Sequence, residues 1–367
     1  MELSIIVPTY NEGSNVRVLT ERIMGVLQST IRDYEIIFVD DSSDDTPIIL
    51  ECLTEQFPRV RYIHRIKERG LGSAVVNGFS LAIGEYLVVM DADLQHPPEL
   101  LPEMMKSLKE GNQLVIPSRF ITGGSYGDLN FSRKLISWGA RAIARLALKK
   151  ARLVSDCTGG FFGLHRSVID GVDLNPIGWK IMLEIIVKGR YRSFSEIPYA
   201  FATRDLDQSK MNFEEQVNYL KHIAFLVMSS PEDRKFFIFC SIGLLGFIVN
   251  MLVFTLLMKL TVDKAVFSSV TASSTALIHN FVWNDQVTWK QEKNLSRSGF
   301  LSRFLKFAST SFLGVLIASM VVRAFVGLGW SPFIGQTLGI FAATFLKFFI
   351  NDRWTWANTY TENRTRY

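Results

Sequence analysis

The chain has 367 residues, room for two domains or more, with 48% apolar residues, a mean hydropathy of +0.18 and a net charge of +5. That apolar excess argues against a wholly soluble enzyme, because it is concentrated from Phe236 onward in long apolar segments. The three cysteines, Cys52, Cys157 and Cys240, are far apart, which argues against both a disulfide framework and a zinc site.

The start, Met1-Glu2-Leu3-Ser4-Ile5, runs directly into a strand without a basic leader, so no signal peptide is expected and the first domain is expected in the cytoplasm. Leu3 to Pro8 reads as a strand, Asn15 to Leu27 as a helix and Tyr34 to Val39 as a second strand. Pro47 to Gln56 reads as a helix, Val60 to Ile63 as a strand, Leu71 to Ile83 as a helix and Tyr86 to Met90 as a fourth strand. Strands alternating with helices imply a mainly parallel sheet, with ligands at the carboxyl ends of its strands. Three of those ends carry polar clusters: Thr9-Tyr10-Asn11-Glu12, Asp40-Asp41-Ser42 and Asp91-Ala92-Asp93. Turn chemistry accounts for one such cluster; three on one sheet edge point to a site. Carboxylates spaced as Asp91 and Asp93 suit a hard divalent cation, Mg2+ or Mn2+, that shares its shell with water and phosphate oxygens. Gln95 adds an oxygen or holds a water, and His96 is read as a turn residue.

Phe131 to Leu153 reads as a basic amphipathic helix. Leu135, Ile136, Trp138, Ile143, Leu146 and Leu148 alternate there with Arg133, Lys134, Arg141, Arg145, Lys149, Lys150 and Arg152. Such helices lie in the membrane interface. Phe213 to Met228 is expected beside it. Four spans follow, at Phe236–Met258, Ala265–Trp283, Phe304–Phe325 and Pro332–Ile350. The two halves repeat: Lys235 to Ser241 lines up with Arg303 to Ser309, Leu245-Gly246 with Leu313-Gly314, and Phe281 to Trp289 with Phe348 to Trp356. The middle loop carries Lys290, Lys293, Arg297, Arg303 and Lys306, against Lys259, Lys264 and Arg323 elsewhere, which puts that loop and both termini in the cytoplasm. Trp283, Trp289, Trp354 and Trp356 are expected to form an aromatic belt there. The division is thus a domain over 1–212, an interface helix over 213–230, a membrane domain over 231–357 and a tail over 358–367.

Ile6-Val7-Pro8-Thr9-Tyr10-Asn11-Glu12, Val39 to Thr46, Gly70-Leu71-Gly72-Ser73-Ala74 and Asp91 to Pro98 resemble, in that order, the signatures of family 2 glycosyltransferases of the GT-A fold. The run Asp91 to Pro98 resembles the polyprenol-phosphate glycosyltransferases, the dolichyl-phosphate mannose synthases above all. The likeness continues through Arg119, Arg133 to Ser137, Thr158-Gly159-Gly160-Phe161 and Arg204 to Lys210. The second half resembles GtrA-like four-helix membrane domains. The chain departs from the family where Ser42, Asp45 and Asp207 replace glycine; the first two are expected only to stiffen a turn.

The resemblance implies an α/β GT-A catalytic domain, Rossmann-like, joined to interfacial helices and an all-α transmembrane domain. It implies inverting transfer of mannose from GDP-mannose to dolichyl phosphate at a membrane. No nucleic acid and no obligatory protein partner are expected. Pro8, Tyr10, Glu12, Val39, Asp41 and Lys210 would line the nucleotide site, and Asp91, Asp93 and Gln95 would hold the metal. A phosphate acceptor is already an anion, with a second pKa of about 6, so it needs cations rather than a base. Arg119, Arg133 and Arg204 would supply them, with Ser137 adding a hydrogen bond and Lys180 as a further candidate. A UDP-glucose enzyme is the nearest alternative, and a lipid translocase with a nucleotide-sensing domain is the alternative of another class. A processive polysaccharide synthase would carry Gln-x-x-Arg-Trp after the catalytic domain, and the sequence has none there.

Overall fold

The computed structural model describes residues 1–66, 69–125, 127, 131–200, 213–260, 265–295 and 299–356. They form two compact units, with the chain dividing between Ser230 and Pro231.

The first unit is built on a seven-stranded sheet. Its strands are β1 (Leu3–Thr9), β2 (Tyr34–Asp40), β3 (Val60–His64), β4 (Tyr86–Val89), β5 (Leu114–Ser118), β6 (Phe162–His165) and β7 (Phe194–Pro198), in the spatial order β3-β2-β1-β4-β6-β5-β7. The first four are mutually parallel, with Leu3 opposite Tyr34 and Tyr86, and Thr9 opposite Asp40. β6 departs from the expected parallel pattern, since it runs antiparallel to both β4 and β5, and β7 is parallel to β5. Two reversals cancel. The carboxyl ends of β1, β2, β3, β4, β5 and β7 therefore share one edge with the amino end of β6, and the site is assembled there.

Helices cover both faces, which is why the strands read as unbroken apolar runs. Ile5, Val7, Ile36 and Phe38 pack toward α1 (Gly13–Leu27), α2 (Thr46–Gln56) and α4 (Leu101–Lys109). Ile6, Ile37 and Val39 face α3 (Leu71–Leu81), whose approach is close: a Cβ at Gly78 would lie 2.4 Å from Ile6 Cγ2. The same layer holds α5 (Phe131–Ala147), α6 (Ile181–Lys188) and α7 (Phe213–Ser229).

α5 stops at Ala147, short of the expected Leu153, followed by a 3-10 turn over Lys150–Arg152. The helix end is satisfied by Arg152, which donates to the carbonyls of Arg145 and Leu146, while Leu148 and Ala151 turn into the core. Arg145 donates to Val154 O, Lys150 to Val187 O, and Arg141 stacks on Phe120. Part of the basic charge read for this segment therefore has local partners. The outer face is apolar: Leu135, Ile136, Trp138, Ile143 and Leu146 are exposed.

α6 meets α7 through a buried polar cluster. Glu184 accepts from Lys188 Nζ at 2.6 Å and from the Asn175 N–H at 2.8 Å, with His222 Nε2 3.3 Å away. Burial pushes the Glu184 carboxyl up, but the neighbouring His222 and the hydrogen bonds from Lys188 and Asn175 outweigh it and hold it below the usual carboxylate range.

The second unit contains α8 (Pro231–Leu260), α9 (Ala265–Trp283), α10 (Lys290–Leu295), α11 (Phe300–Gly327) and α12 (Pro332–Ile350). α8 and α11 contain segments long and apolar enough to cross a membrane, Pro231–Leu260 and Phe300–Phe325. The sequence repeat has a three-dimensional counterpart. α9 and α12 each end in a π-helical turn, Asn284–Thr288 and Asn351–Thr355, in which the threonine hydroxyl donates to the asparagine Oδ1. The two turns then exchange hydrogen bonds. Trp289 Nε1 donates to Asp352 Oδ1 at 2.9 Å, Trp356 Nε1 donates to Asp285 Oδ1 at 2.8 Å, and the indoles stack at 4.3 Å. Asn280 packs over Gly246 and Lys347 over Gly314, at matching positions of the repeat.

This corrects the expected aromatic belt. Trp283 and Trp354 are half exposed, but Trp289 and Trp356 are fully buried. An indole N–H buried in low dielectric needs an acceptor, and each finds one on the opposite hairpin. Arg303 completes the lock by pairing with Asp285, and Lys235, its counterpart in the repeat, pairs with Glu292. Trp289→Phe keeps a ring but removes one donor. We expect it to cost about 1–2 kcal/mol, read as a lower melting temperature in detergent; an unchanged melting curve would show that the exchange contributes nothing.

Candidate active site

Each strand end delivers its polar cluster to the shared edge, and each cluster is held by contacts remote in sequence. At β1 and β2, Pro8 lies opposite Val39, and both are buried. Asn11 takes a positive φ of 55°, where its N–H donates to Ser42 Oγ at 2.7 Å and its Oδ1 accepts from the Ser43 N–H at 2.9 Å. Ser42 also donates to the buried Asp40, which pairs with His64 at 2.7 Å. Ser42 thus does more than stiffen a turn: it ties the first two strand ends together. Glu12 is buried, its N–H on Thr46 and its carboxylate accepting from Asn15. Tyr10 is 41% exposed and can meet a ligand. Asp41 is 5% exposed, gripped by Arg65 through two hydrogen bonds of 2.7 and 2.6 Å and by the Gly70 N–H. Its carboxylate organises the loop leading into α3.

At β4 the chain delivers Asp91, Asp93 and Gln95. His96 is buried, as a turn residue can be, and supports the acids: its Nδ1 accepts from the Asp91 N–H at 2.9 Å and its ring stacks on Phe161 at 5.1 Å. The Gln95 N–H donates to Asp93 Oδ1, and Leu94 adopts a positive φ of 62° between them. Gly160 closes the other side, where a Cβ would sit 3.1 Å from Asp91 Oδ2 and 3.4 Å from His96 Cε1. Gly160→Ala is expected to displace the Asp91 carboxylate and reduce kcat by about tenfold with the melting temperature unchanged. Equal activity in a kinetic comparison would show that the carboxylate tolerates the shift.

Two carboxylates and an amide are an all-oxygen donor set. They fit Mg2+ or Mn2+ and leave coordination positions for phosphate oxygens. Among the described residues no group of three or more His, Cys, Asp or Glu is placed to hold a metal.

Beyond β4 lie cations. Arg119 follows β5 and pairs with Asp156 through Nε–Oδ2 and Nη2–Oδ1 contacts of 2.7 and 3.0 Å; the side chains are 10% and 0% exposed. Asp156 is positioned in turn by Glu196, which accepts from the Ser155 hydroxyl and from the N–H groups of Ser155 and Asp156. Tyr199, after β7, is buried against His96 and Phe161. Burial pushes its phenol up, Arg119 pulls it down, and Asp156, Asp91 and Asp93 push it up again, so these groups share one field. Burial, reinforced by Asp156, also holds the Cys157 thiol up at about 11. Lys180 donates to Thr158 O at 2.8 Å.

Asp91, Asp93, Gln95 and Arg119 are therefore gathered on one edge with Pro8, Tyr10, Glu12, Val39 and Asp41. Ser137 is on α5, half-buried, one turn after Arg133. Arg204 and Lys210 lie outside the described residues, as does the side chain of Arg133. Sequence reasoning missed Asp156, Tyr199 and Arg65. A lone acid just before Cys157-Thr158-Gly159-Gly160 was the one signal for Asp156; Tyr199 and Arg65 carry none.

The first unit matches the family model for glycosyl transferase family 2 over residues 4–172, and the second matches that for the GtrA/DPMS transmembrane domain over 238–356. Sheet, acidic strand end and both matches define a GT-A glycosyltransferase of family 2 carried on a membrane domain. A dolichol-phosphate mannosyltransferase from Pyrococcus furiosus is 39% identical over 97% of this chain and 100% of its own length, and one from Saccharomyces cerevisiae is 37% identical over 61% and 86%. The chain belongs to the dolichol-phosphate mannosyltransferase family. Among solved structures, glucosyl-3-phosphoglycerate synthase from Mycobacterium tuberculosis superposes with a TM-score of 0.48 at 18% identity, over 62% of this chain and 79% of that one.

Proposed function

We propose that the protein transfers mannose from GDP-mannose to dolichyl phosphate with inversion at the sugar carbon. The family supports the reaction, and the observation that carries the mechanism is the order of groups along the sheet edge, polar and acidic at β1 and β2, carboxylates and an amide at β4, and a cation beyond, which suits a nucleotide, a metal and a phosphate in turn. A phosphate oxygen of the lipid attacks C1 of mannose, the bond from C1 to the diphosphate oxygen breaks, and GDP departs with the electron pair. Asp91, Asp93 and Gln95 would hold Mg2+ or Mn2+, which when bound offsets the charge growing on the diphosphate. Pro8, Tyr10, Glu12, Val39, Asp41 and Lys210 line the nucleotide site. Arg119, Arg133, Arg204 and Ser137 bind and orient phosphate. No base is required, in keeping with a Tyr199 phenol and a Cys157 thiol both held protonated at neutral pH.

The exposed apolar face of α5, with Leu220 and Met228 exposed on α7, supports docking of the first unit in the membrane interface. α8, α9, α11 and α12 form four spans, with the basic loop before α11 and both termini cytoplasmic, on the side where the nucleotide sugar is.

The test is purified full-length protein with dolichyl phosphate, Mg2+ or Mn2+, and radiolabelled GDP-mannose and UDP-glucose in parallel. Lipid-extractable label from GDP-mannose alone is expected. Label from UDP-glucose alone would overturn the donor, and label from neither would overturn the reaction.

A further inference from the structure

Lys180 stands at the entrance of α6, whose next seven residues, Ile181 to Val187, are all buried. It sits on a rigid support, pinned from two sides. The Gly72 N–H meets Gly178 O at 3.3 Å, and the Lys180 ammonium donates to Thr158 O at 2.8 Å. Thr158 is two residues before Gly160, the residue that walls the Asp91 carboxylate. Two residues before Thr158 is Asp156, which pairs with Arg119 at 2.7 Å.

Burial pushes the pKa of this ammonium down and Arg119 pushes it the same way, against the pull of Asp156 and Asp91. Arg119 and Lys180 are thus anchored two residues apart on one segment, by the Asp156 carboxylate and by Thr158 O, where one bound anion could meet both cations. An ammonium has three donors. Among the described residues Lys180 hydrogen-bonds only to Thr158 O, which leaves two N–H groups for a ligand.

The arrangement of the sheet decides which anion. A diphosphate at β4 has its charge offset by the metal that Asp91, Asp93 and Gln95 would hold. A phosphomonoester acceptor brings close to two negative charges and no metal, so protein cations must offset them. Arg119 follows β5, and Lys180 is hydrogen-bonded to Thr158 on the segment leading into β6; both strands lie on the side of β4 away from β1 and β2.

We propose that Lys180 is a catalytic residue of the transfer, its ammonium binding the phosphate of the lipid acceptor beside Arg119. The inference rests on the function proposed above and deepens it.

Lys180→Gln removes the charge while its amide can still donate to Thr158 O; Lys180→Arg keeps the charge. With purified full-length protein, calorimetric binding of a short-chain polyprenyl phosphate is expected to weaken about 100-fold in Lys180→Gln and to be largely kept in Lys180→Arg. GDP affinity should stay within about twofold in both. In the steady state, kcat/KM for dolichyl phosphate should fall in parallel with binding. Equal loss of GDP and lipid-phosphate affinity would put Lys180 on the diphosphate and overturn the proposal. Unchanged lipid-phosphate affinity, or a lowered melting temperature as the sole effect, would reduce it to a structural peg. Wild-type protein that binds the lipid phosphate but transfers no mannose would sink the donor assignment and leave the binding comparison decisive for Lys180.

Discussion

Asp91→Asn is expected to lower kcat by about three orders of magnitude while leaving the fold intact. The range follows from weakening the hold on the divalent cation that would offset the negative charge developing on the leaving group. Asparagine has the shape of aspartate, and the main anchor of this loop, the Asp91 N–H on His96 Nδ1, belongs to the backbone. His96 remains stacked on Phe161, so the loop has no reason to move. The loss should therefore appear in kcat with metal and both substrates saturating, the melting temperature should hold, and GDP should bind without metal as in the wild type. Activity within tenfold of wild type would remove Asp91 from the reaction.

Asp156→Ala should have the largest effect on stability. It leaves the Arg119 guanidinium, 10% exposed, without the carboxylate that satisfies Nε and Nη2. Breaking a buried pair from one side costs about 3–5 kcal/mol, which for a unit of this size lowers the melting temperature by about 10 °C. Asp156→Asn retains hydrogen-bonding capacity and should cost less. In the Asp156→Ala, Arg119→Met double variant the guanidinium that lost its Asp156 contacts is gone, so part of the stability should return while transfer stays abolished. A single Asp156→Ala variant as stable as wild type would show that the pair is not structural, and recovery of transfer in the double variant would exclude Arg119 from the acceptor site.

Much of the site was readable because strand ends are local. An apolar run followed by Asp91-Ala92-Asp93-Leu94-Gln95 declares both its strand and its oxygen donors within ten residues. The groups that hold those residues in place are far away in the chain. Asp156 is 37 residues from Arg119, Asp41 is 24 from Arg65, and Ser42 is 31 from Asn11. Each partner is an ordinary polar residue in its own neighbourhood, and only closure of the sheet makes it a partner. The reversal of β6 escaped for a similar reason: a four-residue strand containing Gly163 has no directional pattern, and its direction comes from pairing with β4 and β5.

The membrane unit divides in the same way. Spacing and repetition predicted its helices and the equivalence of Asn284-Asp285 with Asn351-Asp352. Repetition could not say that Trp289 would reach 63 residues to Asp352 and Trp356 reach 71 to Asp285. By itself, the sequence determined the elements as far as β4, the acidic edge, the apolar second half and the family, because hydrophobic period and motif order are properties of neighbouring residues; β5, β6 and β7 came only with the structure. The tertiary structure alone decided which charges are paired, which indoles are buried and which cations converge beyond β4. Burying a polar group requires a partner, and the partner is chosen by proximity in space.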